Sequence, residues 1–252
     1  MNAPACGSGK AKLASGVPQS AGLFFCPLDV VAFSHYMAEM DTDRSVNIEL
    51  PVRTRRPDDR AREIIRAALE LFVTRGFAAT KLGDVARAAG VSKGLPYLYF
   101  KSKEELFKAV IAEAIGAPLL RADDVVESYQ GRAEDLLREL VAMFRGFAES
   151  PSGGVIKLIL AEAGNFPEVA RFFCEDFDVR GRALFAKTLR RGIACGEFRS
   201  LPDVEAAAII IAQPLAMHSI WTRTLAPFDT HAPSNDQFYA AYLDLVLQGL
   251  RP

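Results

Sequence analysis

Histidine, cysteine and tryptophan are scarce in this chain of 252 residues, at three, four and one copies. Cys6, Cys26, Cys174 and Cys195 make no Cys-x-x-Cys pair, and His35, His218 and His231 supply no metal-ligand spacing with them. Neither a metal nor any other cofactor is therefore expected. Cys174 and Cys195 read as buried thiols in a reducing compartment, with a redox pair between them as the alternative. A Gly-rich phosphate loop, a Gly-x-Ser-x-Gly elbow and a histidine paired with a nearby acid are all missing, so nothing supports an enzyme. No clean apolar run reaches the roughly 18 residues of a membrane span. The richest stretch, residues 206–221, contains Gln213, Pro214 and His218, and predicts a core helix with no membrane partner. Alternating strand patterns and internal repeats are lacking too, which makes the fold class all-α.

Half of the residues are hydrophobic, enough for a large core. The net charge of −1 conceals an asymmetry. Residues 53–103 carry 12 Lys and Arg against 5 Asp and Glu, a net of +7, while residues 104–252 carry 15 against 21. One basic block beside an acidic remainder suggests a nucleic-acid module joined to a domain with a different partner. Residues 1–52 are read as a disordered extension, because Gly, Ser, Ala and Pro dominate the first 22. Lys10 and Lys12 ahead of an apolar run imitate a secretion signal, but Pro27 and Asp29 interrupt it and export is not expected. Met37 and Met40 are alternative starts, which would leave residues 1–36 outside the native protein.

The organising stretch is TKLGDVARAAGVSKGLPYLYFKSK, residues 80–103. Thr80 is placed to cap a helix with its hydroxyl, and Leu82, Val85, Ala86 and Ala89 recur at helical spacing. Gly90 suits a left-handed helix end, Val91 packs back, and Ser92 is placed to cap a second helix. Helix, short Gly-containing turn and helix make the helix-turn-helix pattern. The second helix would present Lys93, Gly94, Leu95, Tyr97 and Tyr99 to DNA, with Leu98 and Phe100 in a small core. Leu95 offers no hydrogen bond, so any readout there is apolar contact with a thymine methyl. Ahead of it, Ile64, Ile65, Ala68, Leu71 and Phe72 share one face of a supporting helix that Gly76 ends. Arg53, Arg55 and Arg56 are either a solvated linker or an arm reaching the phosphates or minor groove. After it, Ser102 and Glu105 match a capping box for a fourth helix, which Gly116 and Pro118 should terminate.

These residues carry a resemblance. AREIIRAALELFVTRGFAATKLGDVARAAGVSKG and YLYFKSKEELF resemble the N-terminal DNA-binding domain of the tetracycline-repressor family, with Leu95 and Pro96 as departures. The resemblance implies a three-helix DNA-binding domain over residues 53–116 and a helical effector-binding and dimerisation domain over 117–252. It assigns DNA contact to Thr80, Lys81, Ser92, Lys93, Gly94, Leu95, Tyr97, Tyr99 and Lys103, with Lys103 beside a phosphate at the fourth helix's N-terminus.

Beyond residue 118 the resemblance is to architecture. Helices are expected over 132–149, 154–164, 167–195, 201–223 and 235–250. Phe144, Phe147, Phe173, Phe177, Met217, His218 and Trp221 come from three helices and are expected around one cavity for a small hydrophobic effector; a fully packed core is the alternative. The family's last two helices pair with a symmetry mate, which points to Tyr242, Leu243 and Val246 for a homodimer interface. The expectation is a cytoplasmic homodimeric regulator, a repressor that a small molecule releases from palindromic double-stranded operator DNA. A helical carrier or enzyme with a basic accessory domain, and an effector-independent DNA-binding protein, are the rivals.

Overall fold

The computed structural model describes residues 57–252, which are helical with no strand among them. The expected disordered extension, the arginine arm and the alternative starts lie outside the described residues. The first helix, α1 (Pro57–Arg75), buries Ile64, Ile65, Ala68, Leu71 and Phe72, the face its periodicity predicts. Gly76 (φ 85°) turns the chain and Phe77 folds back onto Phe72 and Phe107, at 5.2 and 4.9 Å between ring centroids. Two short helices follow, α2 (Leu82–Ala88) and α3 (Leu95–Tyr99), separated by Gly90 at φ 66°. A left-handed residue there costs glycine nothing and lets the Val91 amide reach the Ala86 carbonyl.

The fourth helix departs from expectation. Ser102 caps α4 by accepting from the Glu105 amide, but the helix runs from Lys103 to Ser128, straight through Gly116 and Pro118. The reciprocal contact of the box reaches the Lys101 amide, one residue earlier than expected. Proline inside a helix loses one hydrogen bond and costs on the order of 3 kcal/mol. Leu119, Ala122 and Val126 are buried beyond it, and their combined burial outweighs that cost at about 1.5–3 kcal/mol for a large apolar side chain. Residues 55–252 accordingly form one compact unit, and the 116/117 division falls inside a helix.

The remaining helices are α5 (Ala133–Glu149), α6 (Gly154–Glu162), α7 (Pro167–Phe173), α8 (Val179–Ala194), α9 (Val204–Thr224) and α10 (Asn235–Leu250). The stretch expected as one helix over 167–195 is interrupted by a π-helical turn, Cys174–Asp178. Ser234 and Gln237 form a complete capping box ahead of α10. Two corrections concern burial. Cys174 and Cys195 are exposed, not buried. Helix α9 packs against α8, but its inner face alone is covered. By length and composition it could cross a membrane, yet only 28% of its apolar window is buried, so an apolar face stands open.

Candidate nucleic-acid interface

Two polar anchors, buried Thr80 and half-buried Lys103, fix the chain between α1 and α2. Thr80 is 1% exposed, and its hydroxyl donates to the Gly76 carbonyl at 2.8 Å and the Leu71 carbonyl at 3.4 Å. It therefore closes the end of α1 instead of capping α2, whose N-cap is Lys81 with no side-chain bond. Its expected phosphate contact is withdrawn, because the hydroxyl faces inward. The second anchor is Lys103. Its ammonium donates to the carbonyls of Phe77 (2.8 Å), Thr80 (3.2 Å) and Ala78 (3.4 Å), and sits 4.2 Å from the centre of the Phe77 ring. A residue expected at a phosphate donates to carbonyls of the turn between α1 and α2. The signal was ambiguous in sequence, since lysine serves either purpose.

What faces outward is a compact basic surface. Lys81, Ser92, Lys93, Gly94, Tyr97 and Lys101 are exposed; Leu95 and Tyr99 are half-buried. Ser92 does not cap α3, which begins at Leu95 after Gly94, so its hydroxyl stays at the surface. Lys93 is braced by its stem: a Cβ on Gly83 of α2 would lie 3.5 Å from Lys93 Cε. Arg87 is exposed and paired with Asp84 at 3.2 Å, which takes it out of the unpaired basic set. Pro96 is buried in the first turn of α3, where its missing amide hydrogen costs nothing.

Leu98 overturns an expectation. It was assigned to the small core with Phe100, yet Phe100 is 2% exposed and Leu98 is 81% exposed. Gly94 and Leu98 stand four residues apart and share a face, a spacing visible in the sequence. The outward set of α3 is thus Gly94, Tyr97 and Leu98, flanked by Lys93 and Lys101.

The aromatic residues expected around one cavity are divided. Met217, His218 and Trp221 line a surface cleft of about 340 Å³ with Pro214, Thr222, Ala226, Pro233 and Phe238. Phe144 and Phe147 pair with each other elsewhere, and Phe177 pairs with Phe172; neither they nor Phe173 line this cleft. His218 is its polar element, buried and stacked on Phe238 at 3.5 Å with the rings 4° from parallel. Asn235 Nδ2 donates to Glu149, so Asn235 Oδ1 faces His218 and accepts from Nε2–H at 3.0 Å. Burial lowers the His218 pKa, partly offset by that hydrogen bond. Phe238 and Asn235 were not anticipated, because pairing of α9 with α10 is a tertiary fact.

On the open side of α9, Ile210 (69%), Met217 (60%) and Trp221 (37%) are exposed at helical spacing, and Leu245 (73%) is exposed on α10. Tyr242 is not on that face: it is buried within the protomer, donates to the Ile211 carbonyl at 2.6 Å, and has its pKa raised by burial. Leu243 and Val246 are half-buried.

Comparison with known proteins agrees with this geometry. Residues 64–110 match the family model of bacterial regulatory proteins of the tetR family, and residues 130–235 match a tetracyclin repressor-like C-terminal domain. The transcriptional repressor KstR2 of Mycolicibacterium smegmatis is 27% identical over 195 residues, 77% of this chain and 92% of that one. The structure of the ketosteroid transcriptional regulator KstR2 of Mycobacterium tuberculosis superposes with a TM-score of 0.59 at 25% identity, over 80% of this chain and 97% of that one. The fatty acid degradation regulator FadR of Bacillus halodurans shares the fold, with a TM-score of 0.64 at 23% identity over 79% of this chain and 99% of that one. With the helix-turn-helix and the helical remainder each matched, the chain belongs to the tetracycline-repressor family of DNA-binding transcriptional regulators.

Proposed function

We propose that the protein is a homodimeric repressor that places two copies of α3 in successive major grooves of a pseudo-palindromic operator, about 34 Å apart. The observation that carries this reading is the exposed basic and phenolic surface of Lys81, Ser92, Lys93, Gly94, Tyr97 and Lys101, with Leu95 and Tyr99 at its margin. Residues 53–116 would serve DNA and residues 117–252 effector and dimer, with α4 running through both. Such a protein works where the chromosome is, in the bacterial cytoplasm. Lys93→Ala and Tyr97→Ala should each lower operator affinity at least tenfold while helical content and sedimentation stay unchanged. Loss of helix in either variant would mark that side chain as structural.

The homodimer would form across the open stripe of α9 and α10, with Ile210, Met217, Trp221 and Leu245 at its centre and Leu243 and Val246 beside them. An uncovered apolar face of this kind is what a stable interface buries. The effector would be a small hydrophobic compound seated in the His218 cleft, a volume within the usual range for ligand sites. Met217 and Trp221 belong both to the cleft wall and to the stripe, so a ligand there touches the dimer seam. It would lower DNA affinity by preferring one separation of the two α3 helices. Since KstR2 of M. tuberculosis is described as a ketosteroid regulator, androst-4-ene-3,17-dione is the first probe to test, with palmitate beside it. Quenching of Trp221, the sole tryptophan, together with release of operator would support the cleft. Release that persists undiminished in Trp221→Phe and His218→Ala would place the ligand elsewhere.

A further inference from the structure

The side chain of Leu98 is apolar and 81% exposed, a state that protein folding does not reward. It shares the outward face of α3 with Tyr97 (56% exposed) and Gly94, and the exposed lysines of the neighbourhood, Lys93 and Lys101, lie on either side in the chain. Basic flanks suit a polyanion, which makes a DNA duplex the fitting partner for this surface. Within a major groove, leucine has no donor or acceptor to offer a base edge. The one apolar group on any base edge there is the C5-methyl of thymine. Leu95, the other leucine of α3, is half-buried and presents less of its side chain.

We propose that Leu98 is a specificity-determining residue that reads the C5-methyl group of a thymine in each operator half-site. This rests on the reading of α3 as the element that enters the major groove. The consequence is a base preference enforced without a hydrogen bond. A half-site carrying cytosine or adenine at that position lacks the methyl and leaves the leucine against a polar edge. Tyr97 and Lys93 supply the polar contacts, and Leu98 supplies a shape contact that neither duplicates.

The test uses the full-length protein. An operator is first selected from a pool of random duplexes, and its thymines are then replaced one symmetric pair at a time by deoxyuridine, which removes the methyl and nothing else. At one pair, wild-type affinity should fall by about fourfold per half-site, the effect of withdrawing one buried methyl. Leu98→Ala should bind the thymine and uracil operators equally, and its circular dichroism should match wild type, because the residue packs on nothing that its loss would disturb. Leu95→Ala should retain the discrimination. Wild-type indifference to every uracil substitution overturns the proposal while leaving operator recognition intact. Methyl discrimination that survives in Leu98→Ala, or disappears in Leu95→Ala, also overturns it. If no sequence is enriched from the pool, the reading of α3 fails and the proposal fails with it.

Discussion

Replacing Lys103 by methionine separates two jobs that the residue could hold. Methionine keeps the aliphatic stem over Phe77 but removes the ammonium that donates to the Phe77, Ala78 and Thr80 carbonyls at 2.8, 3.4 and 3.2 Å. A hydrogen bond to a charged group contributes roughly 1.5–3 kcal/mol net. The Ala78 contact is long and exposed, so water replaces it at little cost; the other two are partly buried. The cation above the Phe77 ring at 4.2 Å adds a few tenths to about 1 kcal/mol. Lys103 is only half-buried, so water recovers part of each bond and a net loss of about 2 kcal/mol remains, which at roughly 2–4 °C per kcal/mol for a domain of this size lowers Tm by about 4–8 °C. Operator affinity measured by anisotropy between about 50 and about 200 mM salt should keep its slope, because no phosphate contact was removed. Should the slope instead drop by roughly 0.9 per protomer with Tm unchanged, Lys103 would be a phosphate anchor and the packing argument would be wrong.

Three further outcomes are expected. Ile210→Asp and Leu245→Asp should each put an unpaired charge into the dimer seam and weaken association at least a hundredfold by analytical ultracentrifugation, whereas Tyr242→Phe should cost about 1 kcal/mol of stability and leave the dimer whole. Persisting dimers of both aspartate variants would move the interface elsewhere. Because burial lowers the His218 pKa below its ordinary 6.5, the unfolded chain binds the proton more readily; the stability that His218 contributes is complete above about pH 6.5 and is lost as pH falls through the lower folded value. Urea unfolding at pH 7.5 and 5.5 should therefore show a larger acid loss in wild type than in His218→Gln, and equal losses would mean that His218 titrates normally. Gly192→Ala should destabilise strongly, since its Cβ would fall 2.1 Å from the Phe198 ring, and a wild-type melting curve would show that the ring moves freely aside.

Much of this arrangement is legible in the sequence, for reasons that differ by element. The buried face of α1, the helix end at Gly76 and the left-handed Gly90 follow from spacing and backbone sterics alone, and all three appear as read. The cap at Ser102 is a local contact as well, and local contacts are what a sequence displays. Misreadings occur where one residue type has two uses. The Thr80 hydroxyl can accept from a helix start or donate to a helix end, and only the approach of α1 decides between them. Pro118 stops a helix unless burial on both sides outweighs the lost bond, which depends on distant packing. Helix α9 is apolar on nearly every side, so periodicity cannot say which face the protomer leaves open. The cleft is hidden for the same reason: His218 meets Phe238 and Asn235 only once α10 lies beside α9.

The contacts that join the DNA-binding helices to the rest of the protein are few and specific, and that bears on how a ligand signal would travel. Phe166, in the turn between α6 and α7, meets the Phe77 ring edge-on at 4.8 Å. Phe77 is also the ring beneath Lys103 and a member of the Phe72 and Phe107 cluster that seats α1 against α4. Nearby, α6 approaches α1 so closely that a Cβ on Gly154 would fall 2.7 Å from Val73. Close-packed contacts of this kind do not deform continuously; they hold one arrangement or shift to another. A tilt of α6 relative to α4 must therefore be taken up at Phe166 and Gly154, and it reaches the carbonyls of Phe77 and Thr80 from which α2 departs. Lys103 ties those carbonyls to the first turn of α4, the helix that continues unbroken past Pro118 toward the effector side. Lys103 thus sits where the supporting frame and the recognition element meet, and its hydrogen bonds to three backbone carbonyls give it a structural role there.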